Sequence, residues 1–255
     1  DGVSADIQIN FPVPLDSPNV QYTIYDTPGT DSNYAEHQAV LMDALSKQKQ
    51  SILIFVAAPN KTEGSGNNAL LKYLKETEEK NSKTSIDIGR SLFVINWSDS
   101  IDSDARKDLQ HEEIKYKDDS AFSIRLEEKK LFFLSAKFGY AAKAVKNGIA
   151  SEKDMSDFNK GLNNMTDKFG GFCFRENRCA RSEFATNSMN ERCEKALKEA
   201  QDNKDDVSTL EVACGLYALE REVVQYGEKY GSAVKASAII DSVDKALSRL
   251  TNQAA

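Results

Sequence analysis

Three short apolar runs each end abruptly in a polar signature, and this constrains the chain more than any other feature. Tyr22 to Tyr25 leads into Asp26-Thr27-Pro28-Gly29-Thr30. Leu92 to Ile95 leads into Asn96-Trp97-Ser98-Asp99, and Leu131 to Leu134 leads into Ser135-Ala136-Lys137. Between such runs lie stretches with helical spacing. Strands that alternate with helices of this length form a parallel α/β sheet. Ligands of such sheets bind beyond the carboxyl ends of the strands, where all three signatures fall.

The rest of the chain fits this alternation up to about Ile149. Asp6 to Phe11 alternates as a strand, and a turn rich in proline follows, from Pro12 to Pro18. Asn33 to Gln50 and Asn67 to Glu79 read as helices. Ser51 to Ala57 is an almost unbroken apolar run and reads as a strand buried on both faces. The charged stretch Asp102 to Lys130 reads as helical, and a helix starts near Phe138. Residues 150–206 change character and read as a helical insertion, with a helix over Asn190 to Ala200 and a breaking segment over Gln201 to Asp206. Val212, Leu216, Leu219, Val223 and Tyr226 then form a seam at alternating spacings of about four and three, the mark of a helix stripe buried against partner helices. It resumes at Tyr230, Ala233, Ile240, Val243, Leu247 and Leu250. Gly227 and Gly231 interrupt it, each at a cost of about 1 kcal/mol in a helix interior, and are expected to form a joint. The expected divisions are therefore 1–149, 150–206, a last domain helix over 207–226, and a separate neck helix over 227–255.

Composition removes several classes of function. A net charge of −7 over 255 residues argues against a general nucleic-acid binder. No run of 18 apolar residues suits a transmembrane helix, and no signal peptide is visible. Cys173, Cys179, Cys193 and Cys214 match no zinc-ligand spacing and read as reduced thiols. With His37 and His111 the sole histidines, a transition-metal site is not expected.

Taken in order, the signatures resemble the D-x-P-G, N-K-x-D and S-A-K loops of GTP-binding domains. Taken singly, each is also an ordinary strand-to-turn connection. The resemblance implies GTP and Mg²⁺ as cofactors. Asp26 would hold the Mg²⁺ through water, and the Gly29 amide would reach the γ-phosphate. Asp99 would select the base, because a carboxylate accepts from both N1 and N2 of guanine. Asn96 would tie this loop to the phosphate loop. Trp97 departs from the pattern by replacing the usual lysine, and an indole can cover a purine face by stacking. A backbone amide of Ser135-Ala136-Lys137 would meet guanine O6, with the Lys137 stem flanking the base. The phosphate-cradling G-x-x-x-x-G-K-[ST] loop does not occur in these 255 residues, so the natural protein is expected to be longer at its N-terminus, or a second chain to supply that strand.

Longer segments resemble the bacterial dynamin-like large GTPases. They are Asp26 to Asp31 with Glu36-His37, Ile52 to Ala58 with the helix after it, and Gly215 to Glu220 running into Tyr226 to Tyr230 and Val234 to Ala236. This resemblance implies an incomplete P-loop GTPase sheet followed by a helical insertion and neck. It implies GTP hydrolysis coupled to self-association through the GTPase domain and the helical segment. It also implies a cytoplasmic protein, peripheral at a membrane surface when full-length. The alternative is a non-catalytic helical interaction module derived from a degenerate GTPase fold.

Overall fold

The computed structural model describes residues 24, 26, 39–40, 52–59, 91–100, 113–116, 119–125, 130–166 and 187–253. The expected strand Asp6 to Phe11, the helix Asn67 to Glu79 and Gly29 lie outside them. So do the expected strand at Tyr22 to Tyr25, apart from Ile24, and the helix Asn33 to Gln50, apart from two helical residues at 39–40. The chain divides into two compact units. Asp26–Leu219 is one, and the other includes Glu220–Ala255.

Among its described residues the first unit has a three-stranded sheet. Its strands are β1 (Ile54–Ala57), β2 (Leu92–Asn96) and β5 (Lys130–Leu134), with β2 between the other two. Both pairings are parallel, with Ile54 opposite Leu92 and Leu92 opposite Lys130. The β2 and β5 runs form because Leu92, Phe93, Val94, Ile95, Leu131, Phe132 and Phe133 are buried whichever face they occupy. A strand inside a covered parallel sheet needs an apolar residue at every position. β1 differs from the expectation of burial on both faces. Phe55 and Ala57 are buried, but Ile54 and Val56 are exposed, Val56 by 58%. Among the described strands β1 has β2 as its one neighbour and sits at the sheet edge.

Residues 113–125 correct the helical reading of the charged stretch. β3 (Glu113–Tyr116) and β4 (Asp119–Arg125) form an antiparallel pair, with a register shift between Lys115 and Tyr116. Charge content had suggested a solvated helix. The β-branched and aromatic residues Ile114, Tyr116, Phe122 and Ile124 favour strand.

Among the described residues, the helices after β5 are α1 (Ala136–Lys146), α2 (Glu152–Thr166), α3 (Asn187–Asp202), α4 (Asp206–Ala213) and α5 (Leu216–Gln253). α2 starts with a capping box. The Ser151 N–H and hydroxyl both donate to Asp154 Oδ2, at 2.9 and 2.7 Å, and the Asp154 N–H points back to Ser151 Oγ. α4 is capped by Asp205, which accepts from the Ser208 N–H at 3.0 Å. α1 packs on α2 and α4, and α3 packs on α4. Gly161 lets α2 approach closely, since a Cβ there would lie 3.0 Å from Leu210 and 3.1 Å from Phe138. Glu211, buried in α4, pairs with Lys143 at 2.6 Å and Lys146 at 2.9 Å.

The C-terminal seam also breaks at a different place. The chain turns at Cys214-Gly215, where Gly215 has φ +87, and α5 then runs unbroken for 38 residues through Gly227 and Gly231. A left-handed backbone at Gly215 ends α4, which a helix-interior glycine does not do. Ile239, Ile240, Val243, Leu247 and Leu250 are exposed along α5. No helix among the described residues is long and apolar enough to cross a membrane.

Candidate functional site

The carboxyl ends of β2 and β5 bring two of the three signatures together. β2 ends at Asn96 and β5 at Leu134, and these residues are paired across the sheet. The loop after β2 therefore faces the start of α1. Ser135 donates its hydroxyl to Asp99 Oδ1 at 2.6 Å, and the Ala136 N–H donates to Asn96 Oδ1 at 3.0 Å.

Ser135 stands at the N-cap of α1 but makes no side-chain cap bond there. An N-cap serine ordinarily accepts from an amide in its own first turn. Here the hydroxyl is spent on the Asp99 carboxylate in the turn after β2, and Asn96 takes an amide of the first turn in its place. The short O–H···O⁻ bond is of the charge-assisted kind. Asp99 has capacity beyond it, because a carboxylate offers about four lone-pair sites. The Ser135 N–H runs to the Cys214 carbonyl at 2.8 Å, which ties this loop to the α4–α5 turn. Gly139 permits the approach, because a Cβ there would lie 3.0 Å from Cys214 Sγ and 3.1 Å from Leu216.

Trp97 is held in the left-handed region, with φ 60. That conformation is costly for a bulky residue and concentrates at functional sites. Its carbonyl accepts from the Ser100 N–H at 3.0 Å and from the Ser100 hydroxyl at 2.7 Å, closing the short 3₁₀ turn Ser98–Ser100. The indole is 58% exposed, while its neighbour Ser98 is fully buried. A large aromatic side chain is thus exposed to solvent two residues before Asp99.

Lys137 is half-exposed. Its ammonium lies 2.7 Å from Asp157 Oδ1 on α2 and 5.7 Å from the Phe138 ring centroid. Asp26 is described as exposed and outside regular structure. Among the described residues no group of three or more His, Cys, Asp or Glu is placed to hold a metal ion. What the described loops can do is present a carboxylate and an aromatic face to a planar ring bearing two adjacent N–H donors. Two of the three expected amides are already engaged. The Ser135 N–H is spent on Cys214 and the Ala136 N–H on Asn96, so a carbonyl such as guanine O6 must draw on another amide or displace one of these partners. Sequence reasoning missed Asp157, which lies in no recognisable motif, and the Ser135–Cys214 bond, which joins residues remote in the chain.

In comparisons with protein-family models, with curated proteins and with solved structures, nothing matches the chain.

Proposed function

We propose that the loops after β2 and β5 form the base-recognition half of a guanine-nucleotide site, in a GTPase of the dynamin-like kind. The observation that carries this reading is the Ser135–Asp99 hydrogen bond. It diverts an N-cap hydroxyl to orient a carboxylate at the end of a parallel sheet. Asp99 would accept from N1 and N2 of guanine, which adenine does not match. Trp97 would stack on the ring, worth roughly 1–3 kcal/mol by analogy with base stacking elsewhere. Mg²⁺ and the phosphates would be handled by Asp26 and Gly29 together with a phosphate loop, which would supply the transition-state charge stabilisation of hydrolysis. Self-association and a peripheral membrane role belong to the same reading.

Trp97 also supplies the test, because it is the sole tryptophan of the chain. Titrating GDP and ADP against its fluorescence should give a saturable quench with GDP at lower concentration than with ADP. Equal responses, or none, would overturn the reading. The apolar stripe on α5, exposed from Ile239 to Leu250, favours a second reading, a non-catalytic helical interaction module. That reading expects no nucleotide response and a concentration-dependent mass in solution.

A further inference from the structure

We propose that Asp157, on the otherwise unassigned helix α2, is a positioning residue of the base site and acts through Lys137. The inference rests on the guanine reading above.

Lys137 occupies the first turn of α1, directly after the Ala136 amide that Asn96 holds. A lysine there would sweep many rotamers if its tip were unattached. Its ammonium is instead anchored 2.7 Å from Asp157 Oδ1. The two side chains differ in setting, with 51% of Lys137 exposed against 16% of Asp157. The carboxylate is thus the fixed partner and the lysine the one being held.

Asp157 is itself placed by construction. The Ser151–Asp154 capping box sets where α2 begins. Gly161, one turn further on, lets α2 close onto Phe138 and Leu210. Asp157 lies between these two features and faces the first turn of α1.

Anchoring the ammonium on Asp157 has two chemical consequences. The charge is kept from guanine O6 and N7, so base selection is left to Asp99. The methylene stem stays in place as apolar cover for a purine ring. Loss of Asp157 should therefore weaken every purine nucleotide alike, whereas loss of Asp99 should change which purine is preferred.

The test is Trp97 fluorescence of the 255-residue chain, titrated with GDP and with IDP, which lacks the N2 amine. Asp157→Asn should raise both dissociation constants about three-fold, the size expected for an exposed ion pair, with the GDP to IDP ratio unchanged. Lys137→Met keeps an apolar stem without the charge. In that background Asp157→Asn should have no further effect. The inference is overturned if Asp157→Asn leaves both constants unchanged, alters their ratio, or acts equally with and without Lys137. If the unaltered chain shows no response to GDP, the guanine reading fails and Asp157 falls with it. A response in the unaltered chain that Asp157→Asn does not alter removes Asp157 alone.

Discussion

Ser135 and Asp99 are 36 residues apart in sequence, yet 2.6 Å separates the hydroxyl of one from the carboxylate of the other. Parallel pairing of β2 with β5, in register at Asn96 and Leu134, brings the two loops together. The hydroxyl orients Asp99 without neutralising it. Replacing Asp99 by Asn should therefore exchange an acceptor for a donor at the base edge. Guanine binding should weaken by roughly 1.5–3 kcal/mol, the loss typical of a charge-assisted hydrogen bond, and xanthine should be gained. Unchanged selectivity between GDP and XDP in the Trp97 titration would show that Asp99 does not face the base.

The 255-residue chain should bind GTP weakly and should not hydrolyse it. No G-x-x-x-x-G-K-[ST] loop occurs in it to neutralise the β- and γ-phosphates. Base contacts alone suit dissociation constants near about 1 mM, roughly −4 kcal/mol. A calorimetric constant below about 10 μM, or phosphate release above the buffer rate, would refute this.

Much of the sheet was legible in the sequence, because a buried parallel strand needs apolar residues throughout and leaves little else to read. Leu92 to Ile95 and Leu131 to Leu134 appear as strands with ends shifted by a residue or less. The hairpin at 113–125 was not legible, because its charges mimic a solvated helix and pairing between its two short strands decided the outcome. The seam after Val207 misled differently. Glycines at 227 and 231 suggested a joint, but α5 tolerates them and the turn falls at Gly215. The meeting of the loops that carry Asn96, Asp99 and Ser135 was legible from their strand ends. The Lys137–Asp157 contact was not, because an ion pair between two helices leaves no local pattern.

Glu211 should make the helical layer acid-sensitive. Burial raises its pKa, but hydrogen bonds and charge from Lys143 and Lys146 outweigh that and hold it below the ordinary value of 4.5. A lowered folded-state pKa means the contribution is full above about pH 4.5 and is lost as pH falls through the folded value. Glu211→Gln should cost roughly 1–3 kcal/mol at neutral pH, since Lys143 loses its buried partner. The gap between the variant and the parent should narrow below pH 4.5. Urea unfolding at neutral and acidic pH would measure both, and a gap independent of pH would show that the ion pairs are not its source.

The position of the helix break can be read from two glycine substitutions with opposite expected signs. Gly231 lies inside α5, and a Cβ added there meets nothing within 4 Å. Gly231→Ala should stabilise by roughly 0.5–1 kcal/mol, because alanine loses less backbone entropy in a helix. Gly215 has φ +87 in the turn before α5. Gly215→Ala should destabilise by about 1 kcal/mol or more, because an L side chain resists that conformation. The same turn carries the Cys214 carbonyl that receives the Ser135 N–H. Gly215→Ala should therefore also shift the Trp97 emission, while Gly231→Ala should not. Thermal unfolding and emission spectra of the two variants decide the matter. If Gly231→Ala destabilises and Gly215→Ala is silent in both measurements, the joint belongs near Gly231 and the continuous helix is wrong.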